Sequence, residues 1–218
     1  MSSIAAFRPL KNDQNATAEG QTMTWQQAKA LIFDMDGTLA DSMPAHYEAW
    51  QVAAQEFGFV FTPERFQQLG GVPTRQTLDI LLREQGLDLP RERIAEVKES
   101  AIDGKLTAVR PIEPIFEIAR WWHERGLPMA VATGASRRNA EITLTTLGAR
   151  DWFPVVMTAD DVSAHKPAPD VFLRAAEGLG VAPADCAAFE DTDIGLEAIR
   201  AAGMQAWDVR QPVPSPSD

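Results

Sequence analysis

Short apolar runs alternate with stretches of helical periodicity along most of this chain. The first run extends from about Lys29 to Asp34, and its short, continuous hydrophobicity predicts a strand buried on both faces of a parallel sheet. Further apolar runs predict strands at residues 128–132, 153–157, 186–189 and 204–209. The segments between them predict helices that stop at Gly126, Gly148, Gly180 and Gly203. Repeated strand–helix units indicate an α/β fold with a doubly wound parallel sheet and right-handed crossovers.

Residues 44–106 interrupt this alternation, because they carry helical patterns and no strand pattern. Four helices are predicted there, the first beginning at Pro44 and the last at Pro90. The last of these helices carries the apolar residues Ile94, Val97 and Ala101. The pattern therefore indicates an all-helical insertion after the first strand.

The predicted organisation has four parts. A polar extension at residues 1–24 precedes a core domain, formed by residues 25–43 and 107–210. The helical insertion occupies residues 44–106, and a tail rich in Pro and Ser, residues 211–218, is expected to be mobile. A chain of 218 residues that is 45% hydrophobic can bury a core of this size.

Composition limits the partners and the compartment. The net charge of −11 and the pI of about 4.7 argue against nucleic acid and anionic membranes as partners. No apolar stretch reaches the roughly 18 residues of a membrane span, and no signal peptide pattern is present, so a cytoplasmic protein is expected. The single cysteine, Cys186, lies in an apolar segment and is expected to be a buried structural thiol. No interface pattern stands out, so a monomer is expected.

Polar residues follow three of the predicted strands. Because the carboxyl ends of parallel strands share one edge of a sheet, these residues are expected to converge there. They are Asp34 and Asp36, Thr133 and Gly134, and Glu190 and Asp191. Lys166 lies in a loop restricted by two prolines, which can hold its ammonium near the same edge. The alternative for Asp36-Gly37 is an ordinary surface turn, since Asp-Gly is a common turn dipeptide.

This set of residues suits phosphoryl transfer. Asp34, Glu190 and Asp191 bring three carboxylates, whose oxygens favour a hard cation such as Mg²⁺. Mg²⁺ and Lys166 together could attract a phosphate group, and Thr133 and the following helix start could bind it. We expect Asp34 to attack phosphorus as a nucleophile and Asp36 to act as general acid and base, which would require a raised pKa of Asp36.

The sequence resembles the haloacid dehalogenase superfamily in four motifs that follow one another in the expected order. The motifs are Asp34-Met35-Asp36-Gly37-Thr38-Leu39, Thr133-Gly134, Lys166-Pro167 and Phe189-Glu190-Asp191-Thr192. The resemblance spans residues 30–209 and implies a Rossmannoid core with a C1-type helical cap that closes over the site. It further implies Asp34 as nucleophile, Asp36 as acid/base, and Thr133 and Lys166 as phosphate ligands. Mg²⁺ would be bound by Asp34, the Asp36 carbonyl, Glu190 and Asp191.

Within the superfamily, the chain looks like the β-phosphoglucomutase-like branch and its small sugar-phosphate phosphatases, such as the fructose-1-phosphate phosphatases. His46 stands where mutases and related phosphatases keep a cap-hinge histidine, although a histidine on a helix surface is the alternative. The mutases carry an arginine in the cap loop for a second phosphate. Here the loop contains Gly71 and places Thr74 at that position, with Arg75 one residue late and turned about 100° away on a helix.

The resemblance therefore favours a Mg²⁺-dependent sugar-phosphate phosphatase. The first alternative is a β-phosphoglucomutase that interconverts β-glucose-1-phosphate and glucose-6-phosphate. The second is a non-catalytic phosphate-sensing protein on the same fold, because fold alone does not establish activity.

Overall fold

A five-stranded, all-parallel sheet forms the centre of the molecule in the computed structural model, which describes residues 24–216. Its strands lie in the order β3-β2-β1-β4-β5. They are β1 (Ala30–Phe33), β2 (Met129–Ala132), β3 (Val155–Met157), β4 (Cys186–Glu190) and β5 (Gln205–Asp208). The chain builds outward on one side through β2 and β3, then crosses to the other side for β4 and β5. The order reverses between β1 and β4, and ligands bind at such switch points in open α/β sheets.

Eight α-helices accompany the sheet in the described part of the chain. Four of them, in the stretch between β1 and β2, are α1 (Met43–Phe57), α2 (Pro63–Gln68), α3 (Thr74–Gln85) and α4 (Arg91–Leu106). The other four flank the sheet and are α5 (Glu113–Glu124), α6 (Arg137–Thr146), α7 (Asp170–Leu179) and α8 (Asp193–Ala201). The expected α/β fold with a doubly wound parallel sheet is confirmed by this architecture.

The central strand β1 is buried on both faces, as its continuous hydrophobicity indicates. Leu31 and Phe33 point into a cluster that includes α5 and α6, whereas Ala30 and Ile32 point into a cluster with α7 and α8. The first cluster contains large aromatic rings, and Phe33 stacks on Phe189 of β4 with ring centroids 4.9 Å apart. The two apolar clusters fix the position of β1 in the sheet, and therefore the position of the residues that follow it.

The helices α1–α4 share a hydrophobic cluster of their own, centred on residues such as Trp50, Phe61 and Leu81. The chain leaves the sheet and returns to it at neighbouring points, because Asp41 N donates to Arg110 O and Ile112 N donates to Leu39 O. The boundaries of the predicted core domain and insertion stay predictions.

The buried face of α4 includes a lysine. Ile94 is buried, and Val97 and Ala101 are partly buried and pack against apolar clusters. The fully buried residues of this helix recur at a spacing of four and are Ile94, Lys98, Ile102 and Leu106. Apolar residues alone do not reveal this stripe, because a lysine occupies its second position.

The described part of residues 211–218 contacts the core at two points, and the expected mobility of this tail stays a prediction. Val213 packs against the core, and Trp25 Nε1 donates a hydrogen bond to Pro214 O at 3.1 Å. A tail rich in Pro and Ser can therefore be held by a single buried indole. The predicted N-terminal extension, residues 1–24, lies outside the described residues except for Thr24.

Cys186 is buried at the start of β4, as expected, and burial raises the pKa of its thiol to about 11. Across residues 24–216, no helix is both long enough and apolar enough to cross a membrane.

We expect Trp25→Ala to lower the free energy of unfolding by about 3–5 kcal/mol, because it removes a fully buried indole. Trp25→Phe keeps an aromatic ring and should lose about 1 kcal/mol with the hydrogen bond to Pro214. Urea unfolding followed by circular dichroism measures both. An unchanged midpoint for Trp25→Ala would show that the indole does not hold the tail and core together.

Candidate active site

A buried lysine joins the ends of two neighbouring strands. Lys166 Nζ donates to Asp34 Oδ1 at 2.6 Å, just after β1, and to Glu190 Oε2 at 2.7 Å, at the end of β4. The lysine is only 6% exposed, and its ammonium lies 4.9 Å from the centroid of the Phe172 ring. Both carboxylates are buried as well. The sheet register brings Asp34 and Glu190 side by side, because the preceding residues, Phe33 of β1 and Phe189 of β4, pair with each other.

Asp191 completes an acidic cluster with Asp34 and Glu190. Each of the three residues places a carboxylate oxygen within 4.8 Å of the others. Thr38 Oγ1 donates to Asp191 Oδ1 at 3.1 Å. Gly37 makes room for this carboxylate, since a Cβ there would lie 2.3 Å from Asp191 Oδ2, and its φ of +88° also favours glycine.

Glu190 is held at both oxygens. Oε2 accepts from Lys166, while Oε1 accepts from the Thr192 hydroxyl at 2.7 Å and from the backbone N–H of Thr192 at 2.9 Å. Gly195 in α8 leaves space for the side chain, because a Cβ there would lie 2.0 Å from the Glu190 carboxyl carbon. Glu190 therefore fixes both the lysine and the loop that carries Asp191.

The cluster has more negative charge than its lysine can balance. Burial and the charge of Glu190 raise the pKa of Asp34 well above its ordinary value, although Lys166 lowers it. Burial and Glu190 likewise raise the pKa of Asp191 to about 7. Lys166 has a raised pKa, because Asp34 and Glu190 outweigh the cost of burying its charge. Two buried carboxylates and a third that is partly buried, all close to one ammonium, fit a hard divalent cation with oxygen ligands, such as Mg²⁺.

Asp36 lies beside this cluster with partners of its own. Its Oδ1 accepts a hydrogen bond from Ser42 Oγ, and His46 Nε2 lies 3.3 Å from the same oxygen. Burial alone would raise the pKa of Asp36, but His46 and Ser42 outweigh burial, so the pKa is lowered. The expectation of a raised pKa is wrong for this structure, because it considered the neighbouring acid and not the histidine on α1.

Thr133 and Gly134 lie at the end of β2, on the other side of Asp34. Thr133 is buried, and its hydroxyl accepts a hydrogen bond from Ala135 N at 3.0 Å. Ser136 caps α6 by accepting from Asn139 N, so the positive end of this helix faces the sheet edge. Such a helix start is suited to an anion.

A cavity of about 120 Å³ lies between the sheet edge and helices α1, α3 and α4. All but one of the residues predicted for the site line it, and these are Asp34, Asp36, His46, Gly71, Thr74, Thr133, Gly134, Lys166 and Glu190. The exception, Asp191, lines an adjoining groove and belongs to the acidic cluster. The loop that carries Gly71 lies close to the end of β2, since a Cβ on Gly134 would be in van der Waals contact with Gly71 O at 3.5 Å.

Several cavity residues were missed by sequence reasoning. Lys98, Glu99 and Asn139 form a polar part of the wall, and Trp50 lines it as well. One signal was available for Lys98, because a lysine among apolar residues spaced by four along a helix marks a buried charge that needs a partner. No comparable pattern marks Glu99 or Asn139, which are brought together only by the packing of α4 on α6.

Comparison with known proteins agrees with this geometry. The family model described as haloacid dehalogenase-like hydrolase matches residues 31–209. The chain belongs to that family. The fructose-1-phosphate phosphatase YqaB of Escherichia coli is 40% identical over 187 residues, which cover 85% of this chain and 98% of that protein. The motif-based resemblance to this family is thus confirmed, and with it the expectation of a hydrolase.

Two further relatives belong to the same branch. The beta-phosphoglucomutase of Bacillus subtilis is 30% identical, with 85% of each chain covered. The crystal structure of CbbY from Rhodobacter sphaeroides in complex with phosphate superimposes with a TM-score of 0.75 at 27% identity, covering 82% of this chain and 84% of that one. The expected likeness to the β-phosphoglucomutase-like branch is confirmed.

The raised pKa of Asp191 leads to a prediction about pH and metal. Without metal, protons compete for this carboxylate below a pH of about 7. Mg²⁺ binds the ionised form, so its affinity should be nearly constant above pH 8 and should fall as the pH drops through 7. We expect Mg²⁺ to raise the melting temperature more at pH 8 than at pH 6.

Thermal denaturation with and without Mg²⁺ at both pH values measures this difference, and Asp191→Asn provides the control. The variant should lose most of the Mg²⁺-dependent shift at pH 8. A larger Mg²⁺ effect at pH 6 than at pH 8 would contradict the assignment of the cluster.

Proposed function

We propose that this protein is a Mg²⁺-dependent phosphatase that hydrolyses sugar monophosphates through an aspartyl-phosphate on Asp34. The observation that carries the proposal is the buried contact of Lys166 with Asp34 and Glu190 at the floor of the cavity. The Escherichia coli relative, a fructose-1-phosphate phosphatase, supports a sugar phosphate with a fructose 1-phosphate-like leaving group.

In the first step, an Asp34 oxygen forms a bond to phosphorus while the bond from phosphorus to the sugar oxygen breaks. Attack by a carboxylate on an anionic phosphate requires positive charge nearby. Lys166 provides one such charge, and Thr133 and the start of α6 provide polar groups for the phosphate oxygens. Mg²⁺ held by Asp34, the Asp36 carbonyl, Glu190 and Asp191 would supply further charge neutralisation.

Asp36 is the group proposed to move the proton. His46 and Ser42 lower the pKa of Asp36 in the absence of substrate, and the negative charge of a bound phosphate would raise it and favour the protonated carboxyl. In that form Asp36 donates a proton to the departing sugar oxygen, and in the second step it takes one from the water that attacks phosphorus. Hydrolysis of the aspartyl-phosphate then releases phosphate and restores Asp34. Ser42 and His46 hold the Asp36 side chain in place on the side that faces α1, which makes His46 a positioning residue.

We further propose that α1–α4 act as the cap and that water, rather than a second sugar hydroxyl, accepts the phosphoryl group. Thr74 does not offer a positive charge to a second phosphate, and its hydroxyl donates to Glu99 Oε1 at 3.1 Å. Arg75 is exposed on α3 and does not line the cavity. A mutase must retain a bisphosphorylated sugar between its two half-reactions, and a charged hydrogen bond of about 1.5–3 kcal/mol is missing here.

We expect Asp34→Asn to reduce kcat for p-nitrophenyl phosphate with Mg²⁺ by at least about a thousandfold, because it removes the nucleophile. EDTA should abolish turnover by the unaltered protein. Asp88→Asn, an exposed carboxylate outside the cavity, is the matched control and should keep full activity. Full phosphatase activity of Asp34→Asn would remove the nucleophile assignment, and absence of turnover on every sugar phosphate tested would favour a phosphate sensor.

A panel of sugar phosphates separates phosphatase from mutase. With fructose 1-phosphate and Mg²⁺ we expect free phosphate to be released in equal amount to the sugar consumed. With β-glucose-1-phosphate and a trace of glucose-1,6-bisphosphate, the mutase alternative requires glucose-6-phosphate without free phosphate. Phosphate release by a molybdate assay and sugar detection by a coupled dehydrogenase distinguish the two results.

A further inference from the structure

Glu99 forms the centre of a polar wall, opposite the acidic cluster, to which three helices contribute. Its Oε1 accepts from Thr74 Oγ1 of α3 at 3.1 Å and from Lys98 Nζ at 2.9 Å. Its Oε2 accepts from Asn139 Nδ2 of α6 at 2.8 Å. All four residues line the cavity. The Glu99 carboxylate is therefore fixed in position before any substrate is present.

This wall offers acceptors to the cavity. A carboxylate can accept about four hydrogen bonds, and three donors already contact Glu99. Asn139 is only 2% exposed, and its Oδ1 is buried without a hydrogen-bond partner among the described residues. Its Nδ2 must face the carboxylate, because the other amide atom cannot donate. Unpaired acceptors in a cavity wall suit the hydroxyl groups of a ligand.

Among the described residues, this wall has no cation that is not already paired with a carboxylate, and so none is left over for a second phosphate. The ammonium groups among the described lining residues belong to Lys98 and Lys166, and each is paired with a carboxylate. Two nearby arginines are engaged outside the cavity, Arg137 with Asp161 and Arg138 with Asp103.

Glu99 remains ionised at neutral pH. Burial would raise its pKa, but Lys98, Asn139 and Thr74 outweigh burial and lower it. A dianionic phosphate placed against this wall would meet a carboxylate whose cation, Lys98, is already paired with it, in a partly desolvated cavity where charges are weakly screened.

We propose that Glu99 and Asn139 Oδ1 determine the specificity of the cavity, accepting hydrogen bonds from leaving-group hydroxyls and excluding leaving groups that carry a second phosphate. The inference rests on the proposed phosphatase function. It assigns the substrates as phosphomonoesters of neutral polyols, and it places the selection on α4 and α6 rather than at the phosphate site. Lys98 and Thr74 act as positioning residues that hold the carboxylate.

The test compares kcat/KM for fructose 1-phosphate and fructose 1,6-bisphosphate in the unaltered protein and in Glu99→Gln. The substitution keeps the size of the side chain and removes its charge. We expect the preference for the monophosphate to fall by at least about tenfold, which corresponds to about 1.4 kcal/mol. The ratio of the two values does not depend on the fraction of active enzyme. Glu96→Gln, on the exposed part of the same helix, is the matched control and should keep the original preference.

Asn139→Ala tests the second acceptor, and it also removes the Nδ2 donor to Glu99. It removes Oδ1, so KM for fructose 1-phosphate should rise about tenfold, and kcat should fall less than kcat/KM. A preference in Glu99→Gln within twofold of the original, or equal kcat/KM for the two sugars in the unaltered protein, would overturn the inference. An unchanged KM in Asn139→Ala would show that Asn139 does not contribute to the specificity of the cavity. Turnover of p-nitrophenyl phosphate by the unaltered protein reports on the proposed function separately, because its leaving group offers no hydroxyl donor to the wall.

Discussion

The ammonium of Lys166, buried between Asp34 and Glu190, is the interaction on which the rest of the site depends. Removing one partner from a buried ion pair leaves an uncompensated charge and costs about 3–5 kcal/mol. The three residues come from β1, β4 and the loop before α7, so the contact also joins distant parts of the chain. Charge balance and strand placement are thus coupled, and one cannot be changed without disturbing the other.

Small residues allow these charges to approach one another. Gly37 and Gly195 contact the carboxylates of Asp191 and Glu190 so closely that a methyl group at either position would overlap them. The acidic cluster therefore depends on these two glycines as well as on the acidic residues themselves. The sheet places the strand ends together, and the two glycines determine how near the carboxylates can come.

The positions of the acidic residues at the strand ends, and of Lys166 near them, were predictable from one simple rule. Parallel strands end at one edge, so residues that follow them converge regardless of their separation along the chain. The lowered pKa of Asp36 was not predictable in this way, since it depends on how the loop after β1 brings Ser42 and His46 to one oxygen.

The polar wall around Glu99 was beyond sequence reasoning for a related reason. Its members belong to three helices, and their contacts arise from the packing of α3, α4 and α6. Periodicity identifies the face of a helix by its apolar residues, so it does not indicate that Lys98 lies on the buried face of α4. The contact of the C-terminal tail was not predictable either, because composition does not reveal that Trp25 donates a hydrogen bond to Pro214.

The approach of Gly71 to Gly134 has a consequence for how such a protein can change over generations. Neither residue has a side chain, so this one contact between the helical insertion and the end of β2 does not depend on a side chain of either residue. Glu99 and Thr74, by contrast, reach the cavity through side chains on α4 and α3. New substrates can therefore be acquired by replacing residues of these helices, while the glycine contact and the chemical groups beneath it are inherited unchanged.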